Sequence, residues 1–155
     1  MLLKILITSL FFLIGNLSLS NHLVVDTSYD QIIEDTFESG FSLHLGYNKL
    51  INDFLFFGAY IENSTTDSII RQNKIGLKTS LKLRTNYFDV VPNVNCFILS
   101  NFVEDYSSTY FGHGLGGKIM LPLKNKRVFI NLGYGEKYFG KIIKKQILTG
   151  ITVKF

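Results

Sequence analysis

The sequence has little of several residue types that mark familiar protein classes. One cysteine among 155 residues excludes an internal disulfide framework and a multi-cysteine zinc or iron–sulfur site. Charged residues make up only 18% of the chain, against about 25% in soluble domains. The net charge of +4 is too small and too scattered to indicate nucleic-acid binding. The chain has no Trp but 14 Phe, 8 Tyr and 13 Gly, a composition that favours a β-protein with an unusual relation to solvent.

The first twenty residues have the pattern of a secretory signal peptide. Lys4 gives a short basic start, and residues 5–14 form an apolar run. Ser18 and Ser20 are small residues two apart, as a signal peptidase requires, and they predict cleavage after Ser20. The run is shorter than the roughly 20 apolar residues that a membrane anchor needs. We therefore predict a signal peptide over residues 1–20 and one exported domain over residues 21–155.

The exported part alternates between apolar and polar residues with the period of a β-strand. Five clear strands are predicted at 74–84, 88–98, 111–121, 128–135 and 146–155, and three weaker ones at 22–29, 41–48 and 54–62. The phase of 54–62 is ambiguous, and 22–29 could instead join 30–36 in a helical turn. In the five clear strands one face carries no charge, whereas the other carries Lys74, Lys78, Lys82, Arg84, Asp89, Lys118 and Lys154.

Two short turns predict hairpins and their registers. A turn at Thr85-Asn86 places Lys82 opposite Asp89, and a turn at Lys124-Asn125 places Leu121 opposite Val128. These turns and 49–53 share one end with both termini. The segments 30–36, 63–68, 103–108 and 139–145 form the presumed outer loops at the other end.

Alternation alone does not tell which face is inside, because a soluble barrel and a membrane barrel differ in just this respect. A Lys or Arg facing lipid near the midplane costs about 2–4 kcal/mol, which favours turning the charged face inward. Glycines on that face would leave room in a narrow lumen for lysines and aromatics from across the barrel. Six aromatic residues would form two interfacial girdles: Tyr47, Phe88 and Phe155 near one rim, and Phe102, Phe111 and Tyr134 near the other.

The carboxyl-terminal residues resemble the terminal-strand signal of bacterial outer-membrane β-barrels. Gly150, Val153 and Phe155 occupy the glycine, apolar and terminal-Phe positions, whereas Leu148 stands where the family has a polar residue. Residues 21–155 resemble the small eight-stranded barrels of the outer membrane protein A and X type. The resemblance implies an antiparallel up-and-down transmembrane barrel in the cell outer membrane. It also implies contact with outer-membrane lipid and lipopolysaccharide, and assembly by the barrel-assembly machinery through the C-terminal strand.

A polar network is predicted inside the barrel. Lys82 and Asp89 are expected to pair, and Lys74, Lys78 and Lys118 belong to the same network. Asp26 and Glu62 are candidate partners for the row of lysines if their strands take suitable phases.

A histidine, a glycine string and a lysine cluster are further candidates for a catalytic or binding role. His113 lies on the predicted lipid face, where outer-membrane lipid A deacylases place a His and a Ser two residues apart, but Leu115 stands where that Ser would be. The glycine string 112–117 lies inside a strand and opens no helix, so it does not predict a phosphate loop. Lys141, Lys144 and Lys145 form a candidate polyanion contact in a predicted outer loop.

The sequence therefore predicts a non-enzymatic integral outer-membrane protein with a structural or loop-mediated role. No cofactor, metal site or nucleic-acid partner is predicted. One alternative is an exported soluble lipocalin-like barrel that binds a small apolar ligand. A second alternative is an outer-membrane lipid-modifying enzyme.

Overall fold

The computed structural model describes residues 21–33, 37–66, 71–103, 106–124 and 126–155. These residues form nine β-segments: β1 (Asn21–Ile33), β2 (Phe37–Leu50), β3 (Leu55–Thr66), β4 (Arg71–Leu81), β5 (Leu83–Arg84), β6 (Asp89–Val103), β7 (Tyr106–Pro122), β8 (Val128–Phe139) and β9 (Ile142–Lys154). The predicted signal peptide, with Ser18 and Ser20, lies outside the described residues and stays a prediction.

The strands close into an antiparallel up-and-down barrel. Each strand pairs with the next one along the chain except β4, which pairs with β6, and β1 also pairs with β9. Both β4 and β5 pair with β6, so β5 continues β4 beyond Lys82, and the nine segments make eight barrel strands. The predicted eight-stranded fold is confirmed, and residues 22–29 lie in β1. Closure matters because a sheet in lipid must pair its backbone polar groups within the protein.

Polar residues point into the barrel and apolar residues point out. On β4, Lys74 is 1% exposed, whereas its neighbour Ile75 is 68% exposed. The predicted orientation is confirmed, and it is the reverse of what a lipocalin-like barrel with an apolar interior requires. The outer wall includes Leu23, Val25, Leu43, Leu45, Ile61, Leu77, Val94, Ile98, Leu115, Leu132, Ile147 and Ile151.

Aromatic side chains lie toward both ends of the apolar wall. Phe155 is exposed at the end that holds both barrel termini, which we call the terminal end, and Tyr87 is exposed in a turn there. Toward the opposite end, Phe111 is exposed, and Tyr29 packs edge-on against Phe41 with ring centroids 5.5 Å apart. The backbone of Phe102 lies in β6, but its side chain is not among those described, so its place in the girdle stays a prediction.

The predicted register of the first hairpin is wrong by two residues. The Thr85 N–H donates to the Phe88 carbonyl oxygen at 3.0 Å, so the turn residues are 86 and 87. The Thr85 hydroxyl also accepts the Phe88 N–H at 3.1 Å, which stabilises this turn. As a result Arg84, and not Lys82, is the ladder partner of Asp89. A shift by two leaves every side chain on its predicted face, because strand side chains alternate with period two.

The second predicted hairpin is displaced in the same way. Leu121 pairs with Ile130 and not with Val128. The Leu123 N–H donates to the Val128 carbonyl oxygen at 2.8 Å, so the connection is longer than the two predicted residues.

The connections at the two ends differ little in length. The terminal end has connections 51–54, 85–88 and 123–127, and the opposite end has 34–36, 67–70, 104–105 and 140–141. Most residues of the predicted outer loops continue the strands instead.

Candidate functional site

The carboxylate of Glu62 lies at the centre of a buried ion cluster in the lumen. On β3, Glu62 Oε1 accepts hydrogen bonds from Lys74 Nζ at 2.8 Å and from Lys144 Nζ at 3.0 Å. Its Oε2 accepts from Lys137 Nζ and lies 3.2 Å from His44 Nδ1. Five different strands therefore meet at one side chain. A buried charge is costly unless it is paired and hydrogen-bonded, and Glu62 meets both conditions.

A second carboxylate extends this cluster toward β1. Asp30 Oδ2 lies 2.6 Å from Lys144 Nζ, and Asp30 Oδ1 accepts from Gln146 Nε2 at 2.9 Å and from Ser28 Oγ at 2.6 Å. The Ser42 hydroxyl donates to Asp30 Oδ2. We call Ser28, Asp30, Ser42, His44, Glu62, Lys74, Lys137, Lys144 and Gln146 together the Glu62 cluster.

A separate group of polar residues surrounds Asp26. Lys118 Nζ lies 3.3 Å from Asp26 Oδ2, and Asn131 Nδ2 donates to Asp26 Oδ1 at 2.6 Å. Asn131 Nδ2 also lies 2.9 Å from Thr152 Oγ1. These four residues, the Asp26 cluster, come from β1, β7, β8 and β9 and tie together the strands where the barrel closes.

An aromatic and aliphatic layer fills the lumen toward the terminal end. It contains Phe56, Val91, Met120 and Phe129, with Leu50 packed against it. Lys82 Nζ lies 5.8 Å from the ring centroids of both Phe56 and Phe129 and 3.1 Å from Asp89 Oδ2.

A second layer is packed against the Glu62 cluster. Tyr60, Phe97, Leu99 and Phe139 form it. Lys74 Nζ lies 5.5 Å from the Phe139 ring centroid, and Lys137 Nζ lies 5.1 Å from that of Tyr60. These lysines thus combine ion pairs with cation–π contacts.

Inward glycines make room for large side chains, as predicted, but the side chains come from the neighbouring strand and not from across the barrel. Tyr60 is the ladder partner of Gly76, and a Cβ on Gly76 would lie 2.6 Å from the Tyr60 ring. Phe97 covers Gly112 in the same way. Each glycine lets the opposite ring lie flat along the wall instead of crossing the lumen.

The residues of the predicted inner network differ in their surroundings. Lys74, Lys82, Asp89 and Lys118 are buried and ion-paired, whereas Lys78 lines a lumen cavity. At the terminal rim, Lys154 is exposed and the Arg84 side chain is 72% exposed. Of the two candidate partners, Glu62 pairs with Lys74, whereas Asp26 pairs with Lys118 and not with the lysine row on β4.

The predicted polyanion contact is divided by the fold. Lys141 is exposed in the turn 140–141, but Lys144 points inward, is 0% exposed and belongs to the Glu62 cluster. Lys145 points to the outer wall, where Glu136 is its ladder partner. Lys144 therefore cannot contact a partner outside the barrel.

Sequence reasoning missed Asp30, Lys137, Lys144 and Gln146 as members of the lumen cluster. For Lys137 and Lys144 the signal was the continued alternation of residues 136–139 and 142–145, which the predicted strands left out because they ended at 135 and began at 146. Asp30 was missed because the first predicted strand ended at 29, and Gln146 lay on the polar face of the strand 146–155 without being assigned to the network.

The terminal-strand residues occupy three different environments. Gly150 is the ladder partner of Asp26 and lies beneath its side chain. Val153 points outward, and Phe155 is 66% exposed at the rim. Backbone hydrogen bonds of 3.0 and 3.1 Å join Phe155 to Asn21, so they fasten the last residue to the first strand.

A group of polar and aromatic side chains surrounds His113 on the outer wall. The His113 ring stacks on Tyr138 with centroids 5.4 Å apart, and His113 is the ladder partner of Cys96. The Tyr138 hydroxyl donates to Glu136, as does the Tyr134 hydroxyl at 2.7 Å. This group lies on the outer wall toward the end opposite the termini.

A closed eight-stranded antiparallel barrel with an apolar wall and a charged, filled interior is the fold of the small outer-membrane β-barrels. Neisserial surface protein A has a similar structure, with a TM-score of 0.76 and 16% identity, covering 87% of this chain and 97% of that one. The attachment invasion locus protein Ail of Yersinia pestis matches with a TM-score of 0.59 and 9% identity, over 90% and 100% of the two chains.

An enzyme shares the fold as well. The outer membrane enzyme PagL matches with a TM-score of 0.59 and 9% identity, covering 83% of this chain and 97% of that one. No protein-family model and no curated protein sequence matches the chain. The fold is therefore established, and the activity must be argued from the residues.

Proposed function

We propose that the protein is an integral, non-enzymatic protein of a bacterial outer membrane, in which the barrel is a sealed structural element and not a channel. The filled lumen carries this proposal. Two aromatic layers and the Glu62 cluster occupy the interior. An eight-stranded barrel is only wide enough for side chains to fill it, so ions and solutes have no continuous aqueous path.

The height of the apolar wall supports the membrane location. On β4 and β5, outward residues from Ile75 to Leu83 are apolar or uncharged. Eight steps of about 3.3 Å, with a strand tilt of about 40°, rise about 20 Å. This is close to the apolar band of about 25 Å in such barrels. Outer-membrane lipid and lipopolysaccharide are the partners that such a wall would contact.

Conductance in a planar lipid bilayer tests the sealed barrel. Slower migration in detergent after heating shows that the protein used was folded. We expect this folded protein to give no current steps. Discrete steps would show a channel and reject the proposal.

In a deletion strain, we expect greater sensitivity to detergent than in the complemented strain, and equal sensitivity would argue against a structural role.

A loop-mediated interaction receives less support from the fold, because the connections 34–36, 67–70, 104–105 and 140–141 are short. For a polyanion, the remaining candidate contacts are Lys141 and Lys145 without Lys144. Binding to heparin that falls with salt and is lost in a Lys141→Ala/Lys145→Ala variant would establish this contact. Binding that is unchanged in the double variant would dismiss it.

A second candidate function is modification of lipids at the outer wall. One observation favours it: the ladder places a thiol, Cys96, beside an imidazole, His113, on the lipid-facing side. Mass spectrometry of lipid A and phospholipids from cells with and without the protein tests this function. A lipid species that disappears in Cys96→Ala and His113→Ala strains would support an enzyme, and identical profiles would count against it.

A further inference from the structure

The middle of the lumen holds more positive than negative charge. Five lysines lie there, Lys74, Lys78, Lys118, Lys137 and Lys144, against the three carboxylates Asp26, Asp30 and Glu62. Glu62 and Asp30 are engaged by three of the lysines, and Asp26 pairs with Lys118. Among the residues that the structure describes, no carboxylate forms an ion pair with Lys78.

Lys78 faces a cavity that touches both ion clusters. The cavity has a volume of about 60 Å³, and its lining includes Asp26, His44 and Lys137 as well as Lys78. A cavity of about 10–15 Å³ already holds one water molecule. The site is therefore large enough for a small ion with part of its hydration.

Amide groups complete the polar wall of this cavity. Asn93 and Asn95 line it, and the Tyr60 hydroxyl donates to Asn95 Oδ1 at 3.1 Å. This hydrogen bond directs the Asn95 oxygen toward Tyr60 and leaves the Nδ2 donors to face another way. Asn93 Nδ2 lies against the wall at Gly116, where a Cβ would be 3.4 Å from it. An ammonium group and two amide side chains thus line one small space, together with the carboxylates of Asp26 and Glu136.

We propose that this cavity binds a small monovalent anion, such as chloride, with Lys78 as its principal ligand. Lys78 is half-buried in the lumen. An ammonium group away from bulk water and without a counter-charge is costly, and an anion beside Lys78 supplies that charge together with an acceptor for the amides. One negative charge matches Lys78, which is the member of these five lumen lysines for which the described residues provide no ion pair with a carboxylate. This proposal is independent of the function proposed above.

Halide-dependent stability of the purified full-length barrel in detergent tests the proposal. Refolding and urea unfolding are measured at constant ionic strength while chloride replaces gluconate. Because a ligand that binds only the folded state stabilises it by RT ln(1 + L/Kd), where L is the free ligand concentration, we expect the unfolding midpoint to rise with chloride. We expect the rise to be lost in Lys78→Met and retained in Lys124→Met, whose side chain is exposed in a turn.

Anomalous scattering from bromide would locate the bound anion directly, without the need for a variant. Crystals grown in bromide should show an anomalous peak beside Lys78 Nζ, between it and the Asn93 and Asn95 side chains. A wild-type midpoint that is equal in chloride and gluconate would overturn the proposal. An equal chloride effect in Lys78→Met, or bromide peaks only at the surface, would overturn it as well.

Discussion

Lys144 Nζ and Glu62 Oε1 lie 3.0 Å apart in the lumen, although the two residues are 82 positions apart in the chain. Lys144 stands two residues inside β9 and Glu62 lies on β3, so the contact crosses the barrel between strands that are not neighbours. Contacts of this kind join opposite walls, whereas the ladder hydrogen bonds join only adjacent strands. The interior side chains therefore determine how tightly the barrel is held across its width.

Removing the charge of Glu62 is expected to destabilise the barrel strongly. Glu62→Gln keeps the shape of the side chain but leaves Lys74, Lys137 and Lys144 without their shared carboxylate. Breaking a buried ion pair in this way costs about 3–5 kcal/mol. The free energy of unfolding, from urea titration in detergent micelles, measures the loss. Asp53→Asn, in the exposed turn 51–54, is the matched control and should change it by less than about 0.5 kcal/mol.

Adding one methyl group at Gly112 is expected to disturb the lumen. In Gly112→Ala the new Cβ would overlap the Phe97 ring, and overpacking of this kind costs about 1–3 kcal/mol. Gly135→Ala is the control, because its Cβ would meet nothing closer than the Leu115 carbonyl oxygen at 3.4 Å. Equal unfolding free energies for the two variants would contradict the packing of Phe97 over Gly112.

The register between β7 and β8 can be tested by cross-linking. Leu121 and Ile130 are ladder partners, and facing Cα atoms about 5.5 Å apart allow a disulfide. In a Cys96→Ser background, Leu121→Cys/Ile130→Cys should therefore oxidise to a form that migrates differently until it is reduced. Leu121→Cys/Val128→Cys, which the simple two-residue turn would favour, should cross-link poorly. The reverse ranking would show that the strand register is wrong.

The last residue is expected to matter more for assembly than for the stability of the finished barrel. Phe155 is exposed at the rim, so Phe155→Ala should change the unfolding free energy little. If the assembly machinery reads the terminal strand, the variant should reach the membrane at a much lower level in cells. Phe54→Ala removes another exposed aromatic side chain at the terminal end and should reach the membrane normally. Equal levels of both variants would dismiss Phe155 as an assembly signal.

The period-two pattern was enough to predict the strands and their number, whereas the orientation was predicted from the cost of charges in lipid, the glycines, the aromatic residues and the terminal-strand resemblance. On β4 the pattern is clear, because inward Lys74, Gly76, Lys78 and Ser80 alternate with outward Ile75, Leu77, Thr79 and Leu81. The period-two pattern could not predict the registers of the strand pairs, because a slip of two residues leaves the pattern unchanged. Only the side chain of Thr85, which accepts hydrogen bonds from the turn, distinguishes the observed hairpin from the predicted one.

The site was predicted in part for a related reason. Lys137 and Lys144 lie near strand ends. The sequence pattern leaves Lys137 outside every predicted strand and places Lys144 in a predicted outer loop. In a barrel with a charged interior, an inward lysine and a loop lysine have the same sequence signature. Their distinction depends on Glu62 and Asp30, which come from distant strands and become neighbours only when the barrel closes.

The orientation of the wall in a bilayer is the central claim, and spin-label accessibility measures it most directly. Single nitroxide labels would be placed at Leu77, Leu132 and Ile151 in the Cys96→Ser protein, in lipid vesicles, with a label at Asn86 as the aqueous control. We predict frequent collisions with oxygen and few with a water-soluble nickel chelate at the three wall positions, and the opposite at Asn86. Nickel collisions at the wall positions as frequent as at Asn86 would show that this surface faces water, and the membrane barrel would be contradicted.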